Sequence, residues 1–409
     1  MEFKQNILPN GLTLIGEINK SAKSAAIGFF VKTGSRDETP EINGVSHFLE
    51  HMVFKGTDKL DALEVNHAFD NTGAQFNAFT SEESTVFHAA VLPEYLDKVT
   101  QLWTELMRPA LRDDDFNIEK NVIKQEIAMY KDLPGFDVLE KCRKLYFGDN
   151  PCGNSVLGSE QSIDAMAAQQ MRDYFANRYA PNNIVVAVSG NLDWQQTCDL
   201  IEARCGSWQN MPTQRKTEHY KAQSKNKRIE KDNTVCEHIC LIGEGVPAQD
   251  KARFAASLFA TITGDSLGSR FYWELVDNAL AEEASMSFGP MDGTGVFYSY
   301  ICCQPANTDK VLSIIRKIFA ELLETGITDD ELQKAKNKTL SALVIKNEVP
   351  MGRLLDLGFG WMYLQQYRTL AEDIADIKAV TVNDVNELIR RIQPGIFTQF
   401  SISPAAGAC

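Results

Sequence analysis

The stretch GVSHFLEHMVFKGT, residues 44–57, places two histidines four positions apart and a glutamate directly before the second. On an α-helix, positions four apart lie about 40° from each other around the axis, so His47 and His51 share one face. Both imidazoles can therefore reach one cation, and zinc accepts nitrogen ligands of this kind. Glu50 lies about 100° from His51, where it could take a proton from a water that attacks a carbonyl.

The apolar neighbours of the two histidines leave an alternative, a core helix with hydrogen-bonded imidazoles. Phe48, Leu49, Met52 and Phe54 are side chains typical of a buried helix. The chain has six histidines in all, and two of them stand in this run beside a glutamate. That combination at this spacing favours a metal site over a purely structural helix.

A third ligand must come from elsewhere in the chain, and a helix predicted over 113–132 offers one. Glu119 and Glu126 are seven positions apart, so they are nearly superposed on one face, close to Ile123. Ionised carboxylates rarely lie in an apolar stripe unless they are paired or bind metal. We predict Glu126 as the third ligand and Glu119 as a residue that supports a ligand or handles a proton. The alternative is that both glutamates are solvated and the apolar stripe is rotated toward Val122.

The composition is that of a soluble globular protein with more than one domain. The chain has 409 residues, of which 44% are hydrophobic and 23% charged, and this length exceeds a single core of ordinary size. A net charge of −14 argues against nucleic acid as a partner, since phosphates attract positive surfaces. The negative charge suits cationic peptides, or it serves solubility alone.

Several patterns bear on the compartment. There is no run of about 18 apolar residues that would span a membrane, and the N-terminus lacks the pattern of a signal peptide. Nine cysteines, from Cys142 to Cys409, include no Cys-x-x-Cys pair, which indicates reduced thiols. We therefore expect a cytoplasmic protein without a membrane span, and a periplasmic location is the less favoured alternative.

The order of predicted elements occurs twice along the chain. A polar, basic segment at 209–233 is the best linker candidate, and it predicts domains over 1–214 and 215–409. TDDELQKAKNKTLSAL, which begins at residue 328, echoes RDDDFNIEKNVIKQEI, which begins at residue 112. Strands and helices are intermixed in each half, which is typical of α+β domains. No histidine follows His238, so we expect the second domain to lack the metal motif.

One further group of potential ligands is found in TVCEHICLIGE, residues 234–244. Cys236 and Cys240 flank His238, which could indicate a second metal cluster. The run also alternates as a strand does, with these three residues on one face. We favour the strand.

The motif also carries a resemblance to a known family. His-x-x-Glu-His is the inverse of the common zinc-protease motif and marks the inverzincins. The wider opening stretch resembles the signature of the pitrilysin/insulysin zinc metallopeptidases. It is similar in particular to single-chain-half members such as the subunits of mitochondrial processing peptidase and bacterial processing-peptidase homologues. Other segments resemble family segments over nearly the whole chain: EKNVIKQEIAM, GAQFNAFTSEEST, PNNIVVAVSGN and DSLGSRFYWEL.

The resemblance implies a fold and an activity. The fold would be two homologous α+β domains of about 200 residues each, every domain a mostly antiparallel sheet packed with helices. Such a chain would form half of a clamshell, and two chains would enclose a chamber. The activity would be that of a zinc-dependent endopeptidase with one Zn²⁺ per chain. His47, His51 and Glu126 would be the zinc ligands and Glu50 the general base, with Glu119 in the position of the family's second glutamate.

The resemblance also implies how a substrate is bound. Asn77, Ala78 and Phe79 would form the strand edge on which the substrate backbone lies. Strand addition of this kind holds extended peptides with broad sequence tolerance. An enclosed chamber would admit peptides and unfolded segments and exclude folded proteins.

One segment departs from the family pattern. The family has an arginine and, seven residues later, a tyrosine that help to hold the substrate and the developing oxyanion. This chain has Val276 in place of the arginine, and Glu282 or Glu283 falls at the tyrosine. A related partner subunit could supply the missing pair in a heterodimer. Alternatively, a homodimer uses other groups such as Arg270 or Tyr298, or the chain is a weakly active or non-catalytic peptide-binding subunit.

Overall fold

The computed structural model describes residues 1–405 except 216, 218, 222 and 233. The strands of this part are β1 (Glu2–Ile7), β2 (Thr13–Ile18), β3 (Ala25–Val31), β4 (Gln75–Thr80), β5 (Thr85–Val91), β6 (Ile184–Gly190), β7 (Asn226–Lys231), β8 (Glu237–Glu244), β9 (Glu283–Pro290), β10 (Gly295–Cys303) and β11 (Phe397–Pro404). The α-helices are α1 (Val45–Val53), α2 (Ala62–Asp70), α3 (Leu96–Leu106), α4 (Asp113–Lys131), α5 (Pro134–Phe147), α6 (Glu160–Ala165), α7 (Ala168–Arg178), α8 (Trp194–Cys205), α9 (Arg253–Gly264), α10 (Thr308–Glu324), α11 (Asp329–Asn347), α12 (Pro350–Leu364), α13 (Leu370–Ala379) and α14 (Val382–Ile392).

The chain forms two compact units, and each is discontinuous in sequence. Unit 1 consists of residues 1–128, 154–215 and 344–368. Unit 2 consists of residues 129–153, 216–343 and 369–409, in so far as these are described. The change at 215/216 lies next to the predicted boundary at 214/215. Unlike the contiguous domains of that prediction, however, each unit includes a segment from the other half of the chain.

The sheets of the two units share one topology. The sheet of unit 1 has the order β1-β2-β6-β3-β5-β4, in which β2 and β6 are parallel and all other neighbours are antiparallel. The sheet of unit 2 has the order β7-β11-β8-β10-β9, in which β7 and β11 are parallel and the others antiparallel. Apart from β1, each strand of the first sheet has a counterpart in the second. The predicted pair of homologous α+β domains with mostly antiparallel sheets is confirmed.

Helices cover both faces of each sheet, and the exchanged segments supply one of these layers. In unit 1, α12 packs on β3 and β6, and its Phe359 contacts Phe30. On the opposite face of this sheet, α1 and α3 contact β5, and Trp103 of α3 packs near Phe87. In unit 2, α5 packs on β8 and β11, and α9 packs on β9. α5 follows the long helix α4, and α12 follows the equally long α11, so the two halves of the sequence contribute equivalent helices.

A buried ion pair fixes α12 on the sheet of unit 1. Arg353 donates to both carboxylate oxygens of Glu17 on β2, each at 2.9 Å from Nε, and Tyr367 donates to the same carboxylate at 2.7 Å. A charge buried without its partner is costly, so the loss of either residue of this pair would disfavour the docking of α12. Close packing adds to it: a Cβ on Gly358 would lie 2.2 Å from the ring of Phe30, whereas one on Gly360 would meet nothing within 4 Å.

One expectation about the middle of the chain is corrected by the structure and another is confirmed. The segment at 209–233 was expected to be a linker, yet it contains β7, whose charged sequence NKRIEK lacks an apolar alternation. The TVCEHICLIGE run is a strand, as expected, but β8 begins at Glu237, so Cys236 precedes it. None of the eight cysteines in the described part of the chain forms a disulfide, and Cys409 lies outside the described residues.

Candidate functional site

Helix α1 is held at its N-terminus by a buried carboxylate. Glu38 accepts hydrogen bonds from the backbone N–H groups of Gly44, at 2.7 Å, and Ser46, at 2.8 Å. These are donors that the first turn of a helix leaves without partners. Burial raises the pKa of Glu38 to about 7 against the opposing effect of these hydrogen bonds. The Ser46 hydroxyl also hydrogen-bonds that of Tyr174 at 2.7 Å, so the helix start is fixed from two sides.

The two histidines of α1 face one carboxylate. The imidazole rings of His47 and His51 have centroids 4.6 Å apart. Nε2 of His47 lies 3.8 Å from Oε1 of Glu126, and Nε2 of His51 lies 3.5 Å from its Oε2. Glu126 belongs to α4, so two helices of unit 1 bring the three side chains together.

These separations fit ligands that share a cation better than a hydrogen-bonded cluster. Hydrogen bonds between nitrogen and oxygen are usually about 2.9 Å long. Neighbouring nitrogen and oxygen ligands of a tetrahedral zinc ion lie about 3.3 Å apart, given bonds of about 2.0 Å. Burial, with the charge of His51, lowers the pKa of His47 to about 3, so this imidazole is neutral and keeps a lone pair. The donor set of His47, His51 and Glu126 therefore suits zinc.

Glu119 orients His51 from the side opposite Glu126. Its Oε1 lies 2.8 Å from Nδ1 of His51, and its other oxygen forms an ion pair with Lys55. Burial acts to raise the pKa of Glu119, but the hydrogen bonds from His51 and Lys55 outweigh it and the pKa is lowered. An ionised Glu119 holds the proton of His51 on Nδ1, which leaves Nε2 free to bind a cation.

Glu50 lies beside the ligand group and not within it. It is buried, and its Oε2 accepts a hydrogen bond from the hydroxyl of Thr80 at 2.6 Å. Burial raises the pKa of Glu50, although Thr80 and the charge of His51 oppose the rise. A carboxylate with a raised pKa is a stronger base, which suits a group that accepts a proton near neutral pH.

Strand β4 is at the edge of the sheet of unit 1. In the described part of the chain it pairs with β5 alone, and it includes the three residues predicted to lie along the substrate, Asn77, Ala78 and Phe79. The side chain of Asn77 is exposed and that of Ala78 is buried. The strand ends at Thr80, which binds Glu50, so the free edge leads directly to the buried carboxylate.

The positions that depart from the family pattern lie in unit 2. Val276 ends a short π-helical turn and packs against the hydrophobic core of that unit. Glu282 and Glu283 are exposed, and Glu283 is the first residue of β9.

The two side chains named as substitutes have other partners. Arg270 forms an ion pair with Glu331 at 2.7 Å, and Tyr298 accepts a hydrogen bond from Arg143 at 3.1 Å. Each is thus engaged within unit 2.

Two contacts of the site were not anticipated from the sequence. Lys55 follows His51 by four positions, so helical spacing could have placed it near Glu119. Thr80 follows Ala78 by two positions, so strand alternation could have placed it on the same face of β4. Its contact with Glu50, however, depends on how α1 packs on the sheet, and no local pattern reports that.

Two family models match this chain, one after the other along the sequence. Residues 14–160 match the family model described as insulinase, peptidase family M16, and residues 165–339 match that of the peptidase M16 inactive domain. Together the two matches cover well over half of the chain. The chain belongs to the insulinase (M16) family. The predicted relation to the pitrilysin/insulysin peptidases is confirmed, and the part matched as inactive is the one without the histidine motif.

Relatives of known sequence span the whole chain. The uncharacterized zinc protease YmxG of Bacillus subtilis (strain 168) is 30% identical over 98% of this chain and 98% of its own length. An uncharacterized zinc protease of Streptomyces coelicolor is 30% identical over 95% of this chain and 87% of its own length. This M16 chain therefore has the domain content of proteins named zinc proteases.

Solved structures show the same fold. A protease from Helicobacter pylori superposes with a TM-score of 0.90 at 21% identity, covering 98% of this chain and 99% of its own. A peptidase M16 inactive-domain protein from Pseudomonas fluorescens superposes with a TM-score of 0.92 at 19% identity, covering 99% and 98%. In the described part of this M16 chain, every helix is too short or too polar to cross a bilayer.

Proposed function

We propose that this M16 chain is a zinc-dependent endopeptidase that hydrolyses peptides or unfolded segments bound in extended form. The zinc ligands are His47, His51 and Glu126, one ion per chain, and Glu50 is the general base. The names of the relatives and the convergence of these side chains support the proposal.

The hydrogen bond between Thr80 and Glu50 is the observation that best supports the proposed function. A peptide that adds to β4 as a further strand would extend along Asn77, Ala78 and Phe79. Because Thr80 ends the same strand and contacts Glu50, a carbonyl of that peptide would lie near the base. A metal site that only binds a cation does not require an adjacent edge strand, and an edge strand that only binds peptide does not require a buried carboxylate. The two together favour hydrolysis of a bound peptide.

Different residues of the chain have different roles in the proposed hydrolysis. When bound, zinc would supply Lewis acidity that polarises the scissile carbonyl and makes water more acidic. Glu50 accepts the proton of the attacking water and passes it to the leaving amine. Thr80 orients Glu50, and Glu119 keeps His51 in the tautomer that binds the cation. The backbone of β4 holds the peptide in line.

The test compares Glu50→Gln with Glu41→Gln, an exposed glutamate near the start of α1. Zinc content and chelator-sensitive cleavage of an unstructured peptide are measured for both variants. We expect Glu50→Gln to keep its zinc and lose cleavage, and Glu41→Gln to keep both. Cleavage that survives in Glu50→Gln would refute the role of the base, and a wild-type chain without zinc affinity would refute the metal site.

A chamber formed by two chains belongs to the same proposal, and the partner is either a second copy or a related subunit. Val276 in place of the family's arginine, and Glu282 or Glu283 in place of its tyrosine, favour a related subunit that supplies the pair. The same substitutions favour the second candidate function, a weakly active or non-catalytic peptide-binding subunit. Since Arg270 and Tyr298 are engaged elsewhere, they support the homodimer less well.

Native mass measurement and peptide cleavage by the chain alone and with a related family subunit separate these cases. Activity that appears only in the mixture supports the heterodimer. Strong cleavage by the chain alone contradicts it, and peptide binding without cleavage in both samples supports the second function. We also propose a cytoplasmic location, which the scattered cysteines support.

A further inference from the structure

A second group of potential metal ligands lies in unit 2, at one end of its sheet. Cys236 immediately precedes β8, Cys302 lies near the end of β10, and Glu282 immediately precedes β9. Cys302 is paired with His238 of β8 and with Glu283 of β9, so β10 holds the other two segments next to it. The ligand atoms of Cys236, Glu282 and Cys302 all lie within 4.8 Å of one another.

The spacing within this group matches that of ligands around a metal. Sγ of Cys236 lies 3.3 Å from Oε1 of Glu282. Sulfur and oxygen ligands of a tetrahedral zinc ion lie about 3.5 Å apart, given bonds of about 2.3 Å and 2.0 Å. The backbone N–H of Glu282 donates to the carbonyl oxygen of Cys302 at 2.8 Å, which fixes the carboxylate beside β10. The group therefore needs little rearrangement to bind a cation.

We propose that Cys236, Cys302 and Glu282 form a second cation site, which binds one thiophilic divalent ion such as Zn²⁺ or Cd²⁺. Two thiolates and one carboxylate are the soft and hard donors that such ions accept. Cys302 is buried, Cys236 is half-buried and Glu282 is exposed, so the fourth position of a tetrahedron would face solvent. Binding displaces one proton from each thiol into solvent, because the metal binds thiolates.

A neighbouring amide supports the charge of the occupied site. Two thiolates and a carboxylate carry three negative charges against the two positive charges of the ion. Nε2 of Gln304 donates to Oε1 of Glu282 at 3.3 Å and lies 3.8 Å from Sγ of Cys236, so its N–H groups offset part of this excess. The ion would join the starts of β8 and β9 to the end of β10 in the unit that has no histidine motif.

The cluster is different from the one that the sequence suggested. Cys240 is buried beside Cys142, whose thiol donates to its carbonyl oxygen at 3.4 Å, so Cys240 takes no part.

Titration of the full chain with Cd²⁺, in the presence of a phosphine reductant, tests the site. Cadmium bound to thiolate absorbs in the ultraviolet. The proposed site at His47, His51 and Glu126 contains no sulfur, so it does not contribute to this band. We expect a band with the intensity of two thiolates that saturates between one and two equivalents, because the histidine site can take up Cd²⁺ without adding to the band.

Three variants make the test specific. Cys236→Ser should lose at least half of the band and Glu282→Gln should require a higher Cd²⁺ concentration for saturation. Cys303→Ala is the matched control, because Cys303 is the adjacent thiol and contacts Thr308 elsewhere, at 3.9 Å. It should keep the full band. Circular dichroism without metal checks that Cys236→Ser, altered at a half-buried position, remains folded.

Three results would overturn the proposal. They are the absence of the band in the wild type, an undiminished band in folded Cys236→Ser, and a Cys236–Cys302 disulfide in the protein as isolated. Each can occur whether or not the chain cleaves peptides, so the outcome is independent of the proposed function.

Discussion

The buried carboxylate at the start of α1 predicts a specific dependence of stability on pH. Both oxygens of Glu38 accept backbone N–H groups of the helix start, and the residue is enclosed by protein. Glu38→Gln keeps the size of the side chain and one oxygen acceptor, but it cannot ionise. The variant should therefore lack the pH dependence that the ionisation of Glu38 gives to the folded state.

The magnitude follows from the pKa of Glu38, which burial raises from its usual 4.5 to about 7. Since the pKa is higher in the folded chain, the contribution to stability is complete below about pH 4.5 and is lost as the pH rises to about 7. A shift of about 2.5 units corresponds to about 3 kcal/mol. The free energy of unfolding of the wild type should thus fall by about 3 kcal/mol relative to Glu38→Gln between about pH 4 and about pH 8.

Urea unfolding followed by tryptophan fluorescence measures this difference mainly in unit 1, which contains Glu38. Four of the five tryptophans lie in unit 1, at positions 103, 194, 208 and 361. Glu41→Gln, at an exposed site nearby, is the control and should follow the wild type at each pH. If the curves of wild type and Glu38→Gln stay parallel over this range, burial does not raise the pKa of Glu38 and the account of the helix start is wrong.

Three other substitutions test the site and the core. Hydrogen bonds to charged groups contribute about 1.5–3 kcal/mol. Thr80→Val should therefore raise the pKa of Glu50 and move the acidic limb of the pH profile of kcat/KM up by about 1–2 units; an unmoved limb would contradict this role. Glu119→Gln should weaken zinc binding about 10–100-fold in competition with a chromophoric chelator, and unchanged affinity would show that the carboxylate does not orient its histidine. Gly358→Ala should lower the free energy of unfolding by about 1–3 kcal/mol, whereas Gly360→Ala, in the same helix but with no atom within 4 Å of its Cβ, should raise it by up to about 1 kcal/mol; equal effects would exclude the packing explanation.

Much of the local structure follows from short patterns. The helical spacing of His47 and His51 falls in α1, Val45–Val53, and the helix predicted at 113–132 is α4, Asp113–Lys131. Helical spacing is enough to place His47 with His51 and Glu119 with Glu126 on common faces. That α1 and α4 bring those faces together does not follow from spacing. Two carboxylates in an apolar stripe raised it as a hypothesis, and the family resemblance supported it, because the packing itself joins segments far apart in sequence.

The exchanged helices were not predicted for a related reason. The pattern of apolar residues in α5 or α12 shows that one face is buried, but it carries no information about which sheet buries it. A contiguous boundary near the middle of the chain is the simplest reading of a duplicated sequence. In the structure, however, α12 packs on the sheet of unit 1. Its Arg353 pairs there with Glu17, a residue more than three hundred positions away.

A comparison of the two units distinguishes the contribution of the shared fold from that of individual side chains. Apart from β1, both units have the same strand order, and α9 follows β8 as α1 follows β3 in the other unit. Yet α9, RFAASLFATITG, has no histidine or carboxylate. When the two long helices are aligned on their acidic starts, Glu119 and Glu126 of α4 correspond to Ala335 and Ala342 of α11. One backbone arrangement thus holds the proposed metal ligands in unit 1, whereas the positions that correspond to Glu119 and Glu126 are alanines in unit 2. The proposed chemistry therefore depends on a few side chains of α1 and α4, and the shared fold serves to bring them together.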